Sequence, residues 1–318
     1  MHLSKNTLIQ QLAGILVLWA TLAIHGVAAA TPDSPAWTKF ATEFVQATFK
    51  AQPFFAAQSG RHEFDGQMPD WSKAGITAEV ARLRASRAAA AAFDGTALAP
   101  SQQFERDYLI AIIDNNLFWL AKVEFPFRNP AWYVNQLDPE VYLSREYAPL
   151  PQRLQAYIGY ARSIPKIAAD IRANLRAPLP KSYVEYGIRG FGGFADFYRS
   201  DVPAVFAGVD DPALQQEFAA ANAAAAQAMQ ELKDWLTTQR ATANDSYAIG
   251  PDLFAAMVRD TELIDMPVAQ IEAAGKADLE RNSAALKQAC EEFAPGKPVR
   301  ECVAGVQARK PAAGPVAG

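Results

Sequence analysis

Residues 211–236 read DPALQQEFAAANAAAAQAMQELKDWL, and this stretch decides the fold. Asp211 is a typical helix N-cap, and Pro212 suits the first helical position because a missing N–H costs nothing there. Apolar side chains then recur at steps of three and four: Leu214, Phe218, Ala221, Ala225, Met229, Leu232 and Leu236. This period predicts a long amphipathic helix, and the alanines in its middle predict close approach of a second helix.

The same helical period recurs on both sides of this stretch. It predicts further helices after Pro35, over residues 76–93, from a Ser101 cap to about Lys122, over residues 151–176, and from Asp265 to Phe293. Pro165 is expected to kink or restart the helix in which it lies, because proline removes a helical hydrogen bond. No run of alternating Val, Ile and Thr lies between hairpin turns. The predicted fold class is therefore mainly α, a multi-helix array.

The helix predicted over residues 101–122 has the broadest apolar face. Its apolar positions are Phe104, Tyr108, Leu109, Ile112, Ile113, Leu117 and Leu120. On a helix these positions form one wide stripe, which predicts that all of them are buried.

Other segments depart from the helical period. Residues 123–150 mix aromatic residues with prolines and are expected to be irregular. Residues 187–203 interleave glycine with phenylalanine, and no phosphate-loop ending is present, so we expect a hinge or tight helix packing. Residues 303–318 are mostly Ala, Gly, Pro and Val and are expected to form a mobile tail. One helical domain is then expected over residues 31–302.

Residues 1–30 have the pattern of a secretory signal peptide. Lys5 precedes an apolar run from Ala13 to Ile24, and small residues follow it. Cleavage is expected between Ala30 and Thr31. The apolar run is shorter than the roughly 20 residues that span a bilayer, so a retained membrane anchor is the weaker alternative. The mature protein is expected to be exported, either periplasmic or extracellular, and not membrane-bound.

Export gives a meaning to the two cysteines, Cys290 and Cys302. An oxidising compartment favours disulfides, and the intervening turn at Pro295 and Gly296 could bring the two cysteines together. We therefore predict a disulfide between them, with two reduced thiols as the alternative.

Charge and histidine content disfavour several function classes. Lys and Arg number 30 against 34 Asp and Glu, a net charge of −4, which does not indicate a nucleic-acid partner. The three histidines are His2, His25 and His62, so the mature chain holds one. A zinc site built on two or three histidines is therefore not expected within this chain. A Ser-His-Asp hydrolase is also disfavoured, because no G-x-S-x-G elbow is present.

Two weaker chemical signals remain. His62 and Glu63 begin like an H-E-x-x-H zinc motif, but Gly66 occupies the second histidine position and cannot bind metal. A structural histidine is expected instead. Asp107 and Asp114 share a helix face, which is usual for a solvated face, although carboxylate-pair hydrolysis stays an open alternative.

Several short motifs occur in a fixed order along the chain. The opening motif contains Gly60, His62 and Asp65, followed by Asp70 and Ser72. A second motif, N-P-x-x-Y, is matched by Asn129, Pro130 and Tyr133. Further matches follow in order, at residues 153–175 and at residues 250–279. This ordered set resembles the bacterial DUF885 family, and the resemblance spans about residues 37–290.

The resemblance implies a mainly helical, exported protein that is similar to zinc metallopeptidases. In that family the H-E-x-x-H helix lies in the C-terminal half, and no such motif occurs in this sequence. The resemblance therefore implies the N-terminal half of a metallopeptidase-like fold, with no cofactor of its own and zinc only in the other half. A peptide substrate is expected only for the complete family protein.

Three interpretations of function follow. The first is the exported N-terminal part of a DUF885-type protein, inactive alone. The second is a freestanding exported binding or scaffold module without enzymatic activity. The third is the carboxylate-pair hydrolase. The first interpretation implies that this chain exposes apolar surface, which the other half of the protein would cover.

Overall fold

The computed structural model describes residues 32–310, and these residues are mainly helical, as predicted. The predicted signal peptide, with its predicted cleavage site between Ala30 and Thr31, and residues 311–318 lie outside the described residues. The helices are α1 (Pro35–Ala51), α2 (Pro53–Gln58), α3 (Lys73–Ala91), α4 (Pro100–Leu117), α5 (Phe125–Arg128), α6 (Ala131–Val134), α7 (Glu140–Leu143), α8 (Leu150–Asn174), α9 (Lys181–Phe206), α10 (Pro212–Gln239), α11 (Pro251–Glu262), α12 (Val268–Phe293) and α13 (Val299–Gln307). They form two compact units, one ending at Ile249 and the other beginning at Gly250.

Helix α10 forms as the sequence predicts. The Leu214 backbone N–H donates to Oδ1 of Asp211 at 3.0 Å, which caps the helix. Six of the seven predicted apolar positions are buried: Phe218, Ala221, Ala225, Met229, Leu232 and Leu236. Leu214, in the first turn, is half-buried. The apolar stripe of α10 is therefore packed against other helices along nearly its whole length.

The main core of the first unit lies among α8, α9 and α10. Fully buried tyrosine and phenylalanine side chains fill it, and the tyrosine hydroxyls are paired. The Tyr157 hydroxyl donates to Asn222 at 2.6 Å, and the Asn222 amide donates to the Tyr198 carbonyl at 2.5 Å. The hydroxyls of Tyr160 and Tyr198 are 2.6 Å apart. These bonds link all three helices and fix their positions relative to one another.

A second core lies among α1, α3 and α4. Trp37 is fully buried there, and its indole N–H donates to Glu105 at 2.9 Å. Leu83 and Ile113 pack in the same cluster. Helix α4 continues as a π-helical turn, Phe118–Lys122, and the chain leaves it through Glu124, which has a φ of 53°. The region 123–150 then contains three four-residue helices, α5, α6 and α7.

The prediction that the whole apolar face of α4 is buried is wrong. Leu109 and Ile113 are buried, but Phe104 is 70% exposed, Tyr108 59% and Ile112 40%. Helix α4 is covered on only one side, so the outer edge of the wide apolar face meets solvent. We call Phe104, Tyr108 and Ile112 the α4 stripe.

Two segments with expected departures from helical structure lie within continuous helices. The segment 187–203 is part of helix α9, and of the two alternatives predicted for it, a hinge or tight helix packing, the structure has tight packing at its glycines. A Cβ at Gly187 would lie 2.7 Å from Leu236 and 2.9 Å from Pro130. Helix α8 likewise continues through Pro165 without restarting.

The second unit contains α11, α12 and α13. Cys290 in α12 and Cys302 in α13 are joined as a disulfide, with 5.8 Å between their Cα atoms. Helix α13 runs to Gln307, so the tail predicted to begin at residue 303 begins inside a helix. The disulfide anchors α13 at Cys302, the residue directly before that point, which the composition of the segment alone did not indicate.

None of the helices in the described part of the chain has the length and apolar content needed to cross a membrane.

Candidate functional site

A cleft of about 560 Å³ opens in the first unit and is formed entirely by residues between Phe44 and Gln136. Helices α1, α3 and α4 form one side, and residues 119–136 form the other. Six aromatic side chains line it: Phe44, Phe55, Trp71, Trp119, Phe125 and Trp132. The size and apolar walls are those of a ligand site.

Three charged side chains line the cleft, Asp70, Glu79 and Arg82, and the last two are paired with each other. Arg82 makes two 2.7 Å hydrogen bonds to the carboxylate of Glu79, one from Nε and one from Nη2. Its Nη1 donates to Thr48 at 3.3 Å, and its guanidinium lies over the Phe44 ring, 5.6 Å from the ring centroid. The pair is mostly buried, with side-chain exposures of 21% and 15%. It therefore holds α1 against α3 and leaves the cleft walls largely apolar.

The first group of family-signature residues forms the turn after α2. Gly60 has a φ of 86°, and its N–H donates to Ala57, which ends the helix in the left-handed region. Nδ1 of His62 lies 3.1 Å from Oδ1 of Asp65. The His62 ring stacks on Tyr147, with centroids 3.6 Å apart. His62 thus has the structural contacts that the sequence analysis expected.

Asp65 and Gly66 tie this turn to the rest of the unit. The Tyr147 hydroxyl donates to Oδ2 of Asp65 at 2.8 Å. Burial, together with this carboxylate, raises the pKa of Tyr147 above its ordinary value. The Gly66 N–H donates to the Tyr142 hydroxyl at 3.0 Å, and burial raises the pKa of Tyr142 to about 12. Both tyrosines are therefore neutral anchors for the turn at neutral pH.

Asp70 and Ser72 build the start of α3. The Ser72 hydroxyl accepts from the Gly75 N–H at 3.1 Å, so Ser72 is the N-cap. Oδ1 of Asp70 accepts from the Ser72 N–H at 3.0 Å. This bond from Ser72, more than the nearby Lys166 ammonium, holds the pKa of Asp70 below its ordinary value.

The depressed pKa of Asp70 predicts a pH dependence of stability. Its ionised form stabilises the fold, so the contribution is present above the ordinary carboxyl pKa and is lost as the pH falls through the lower folded value. We expect the gap in unfolding free energy between wild type and Asp70→Asn to stay constant down to about pH 5 and to shrink as the pH falls through about 4 and below. Urea denaturation at several pH values measures it, with Asp252→Asn as control. A constant gap would contradict the assignment.

The second group of signature residues lies beneath the cleft. Oδ1 of Asn129 accepts from the Ala131 N–H at 2.9 Å and starts α6, with Pro130 between them. The Tyr133 hydroxyl donates to the Pro126 carbonyl at 2.9 Å. Asn174 joins the two signature motifs, because its amide donates both to Tyr133 and to the Trp71 carbonyl, at 2.9 and 2.7 Å. The signature residues thus support the cleft more than they line it.

Sequence reasoning missed the residues that line the cleft. Trp119 and Arg82 belong to helices whose period indicates packing, and nothing in the period marks them as lining a cavity. Asn174 and Tyr147 lie far along the chain from the signature residues they contact. Only the concentration of aromatic residues after Lys122 pointed to this region.

The described residues do not fit the zinc ion that the family resemblance implies. No group of three or more His, Cys, Asp or Glu side chains between residues 32 and 310 could hold a metal ion. His62 has one carboxylate beside it, Asp65, and that carboxylate also accepts from Tyr147. A zinc site needs three or four converging ligands. We therefore assign no metal-dependent step to these residues.

Comparison with known proteins identifies the family. Residues 53–315 match the family described as bacterial protein of unknown function, DUF885. The chain belongs to the DUF885 family. Since the match covers most of the sequence, it includes all the signature residues described above. No curated protein sequence matches this DUF885 chain.

One solved structure shows the same fold. It is titled the structure of "a putative lipoprotein of unknown function" from Shewanella oneidensis, with a TM-score of 0.73 and 17% sequence identity. The match covers 86% of the DUF885 chain and 52% of the relative. The chain therefore spans about half the length of that relative, and the likeness concerns the fold.

Proposed function

We propose that residues 32–310 form the N-terminal, ligand-binding part of an exported DUF885-type protein with a metallopeptidase-like architecture. Zinc and the catalytic groups would come from a further part of such a protein. The observation that carries the proposal is the fold match, in which nearly all of this chain corresponds to about half of a longer relative.

The first unit has a cleft that could bind a ligand. Its cleft is apolar, is open to solvent, and is supported by the two signature motifs through Asn174. The same unit has no converging metal ligands within the described residues. In the proposed protein, these helices hold the substrate and another part of the same protein cleaves it.

Export is supported by two observations. Residues 1–30 have a signal-peptide pattern, with a basic start, an apolar run and small residues at the end. The structural relative is titled a lipoprotein, which is a class of exported protein. Cys290 and Cys302 would then meet the oxidising compartment that their disulfide requires. We propose the periplasm or the extracellular space as the location.

The test is a peptide-cleavage assay on the purified mature chain with added zinc. We expect no cleavage of a mixed peptide library by mass spectrometry, because in this proposal the zinc that activates water is held by a further part of the protein. Circular dichroism shows whether the helices are formed, so that inactivity can be assigned to the folded chain. Zinc-dependent cleavage by this chain alone would overturn the proposal.

A second candidate is the freestanding exported binding module. It is favoured by the cleft, whose walls are complete within residues 44–136. The DNA downstream of codon 318 separates the two candidates. A continuation that encodes H-E-x-x-H supports the two-part protein, and unrelated sequence supports the freestanding module.

A further inference from the structure

We propose that the disulfide between Cys290 and Cys302 is a redox switch for α13. While the disulfide is formed, α13 stays folded against the end of α12, and reduction of the disulfide releases α13 as an unfolded segment. The switch is independent of the proposed function, because it needs neither a ligand in the cleft nor a further part of the protein.

The second unit has very little buried surface. Among residues 250–310, only Val258, Cys290 and Cys302 are buried. Each of the three helices therefore has a single buried residue. Most helices in proteins are stabilised by a packed apolar face. No such face is buried in the described part of this unit, so the two cysteines, each 3% exposed, form its main buried contact.

Helix α13 is too short to be stable by itself. It has nine residues, and isolated helices shorter than roughly 12–15 residues are marginal in water. Its other apolar side chains add little packing, because Val303 is half-buried and Val306 is exposed. A contact with the rest of the unit is therefore needed to keep α13 helical.

The contacts between α13 and α12 other than the disulfide are weak. The Arg309 guanidinium, just beyond α13, lies over the ring of Phe293 at the end of α12, 4.5 Å from the ring centroid. Phe293 is exposed, and a cation–π contact contributes least at an exposed site. The ion pairs and side-chain hydrogen bonds that α12 forms among the described residues all join side chains of α12 itself. The disulfide is therefore the contact on which the position of α13 depends.

The switching step is thiol–disulfide exchange with a dithiol. The S–S bond breaks, Cys290 and Cys302 together gain two electrons and two protons and become free thiols, and the dithiol is oxidised to a disulfide. Formation is the reverse reaction, in which a disulfide-bearing oxidant accepts the electrons and protons. Reduction also removes the covalent loop between positions 12 residues apart, so the segment gains conformational freedom. Both effects favour the unfolded form of α13.

Hydrogen exchange by mass spectrometry on the mature chain, with and without dithiothreitol as the dithiol, tests the switch. In the oxidised chain we expect protected amides at residues 303–307, and after reduction we expect exchange there to be at least about tenfold faster. Residues 272–284, in the middle of α12, should exchange equally in both states. Tryptophan emission should also be unchanged, because Trp235 is the last tryptophan of the sequence and precedes the second unit. The mass of the intact chain shows whether the disulfide is reduced.

Two variants separate the disulfide from other effects. The double variant Cys290→Ser, Cys302→Ser should exchange at the fast rate with or without dithiothreitol, which excludes a general effect of the reductant. Arg309→Gln is the matched control, because it removes the cation–π contact and leaves the disulfide in place. It should change the exchange of residues 303–307 by less than about fivefold and should still respond to dithiothreitol.

Three outcomes would overturn the switch. They are a disulfide that excess dithiothreitol leaves intact in the folded chain, equal exchange of residues 303–307 before and after reduction, or an equal acceleration of exchange in the middle of α12. None of these outcomes affects the proposal of a two-part protein. Conversely, zinc-dependent peptide cleavage by this chain alone would overturn that proposal and leave the switch intact.

Discussion

Replacing Gly66 with alanine is expected to lower the unfolding free energy by about 2–5 kcal/mol. Gly66 has a φ of 74°, which is strained for any residue with a Cβ. The added methyl would also lie 2.8 Å from the Ala156 carbonyl oxygen and 3.1 Å from the Gly159 Cα. Both neighbours are backbone atoms of α8, so a side-chain rotation cannot relieve the overlap.

Gly60→Ala is the matched control for this prediction. Gly60 also has a positive φ, 86°, but nothing lies within 4 Å of a Cβ built there. The control therefore carries the backbone strain alone, about 1–2 kcal/mol. Urea denaturation of both variants measures the difference. Equal losses would show that the turn after α2 does not pack on α8 as described.

Asn174→Ala is expected to cost about 2–4 kcal/mol of unfolding free energy. The Asn174 amide is buried and donates to both Trp71 and Tyr133. Its loss leaves the Trp71 carbonyl without that donor and opens a small cavity. The Trp71 indole N–H already lacks an acceptor among the described residues. The substitution would therefore leave a second polar group of the same residue without its partner.

Asn116→Ala is the control for Asn174→Ala. Asn116 is exposed, and its amide bonds only to the carbonyl one turn earlier in α4. Its removal should change the unfolding free energy by less than about 0.5 kcal/mol. Because Asn174 bonds to Trp71, Asn174→Ala should also shift the tryptophan fluorescence emission of the folded protein. A shift of equal size in Asn116→Ala would contradict the conclusion that Asn174 supports Trp71.

Residue patterns predicted the helical elements well where packing and local preference agree. The cap at Asp211 and the stripe of α10 were visible because a long helix with one buried face repeats its signal over many turns. The same rule failed for Phe104, Tyr108 and Ile112, because periodicity shows which residues share a face and not what covers that face. In α9 the glycines left two alternatives, a hinge or tight packing, and only the structure shows that the segment is helical and closely packed at Gly187.

The candidate site was less predictable, for a physical reason. A cleft is defined by the space between elements, and its residues come from four separate parts of the chain. The Glu79–Arg82 pair and the Asn174 bonds join residues whose spacing carries no signal. The hydrogen bond of His62 to Asp65 joins residues three apart, whereas its stacking partner Tyr147 lies far along the chain and carries no signal in the sequence.

The central claim is that this DUF885 chain binds ligand but supplies no zinc centre. Elemental analysis of the purified mature chain, after dialysis against zinc and then buffer, tests it most directly. The account predicts a zinc content far below one ion per chain, unchanged in His62→Ala. One zinc per chain that is lost in His62→Ala would contradict it.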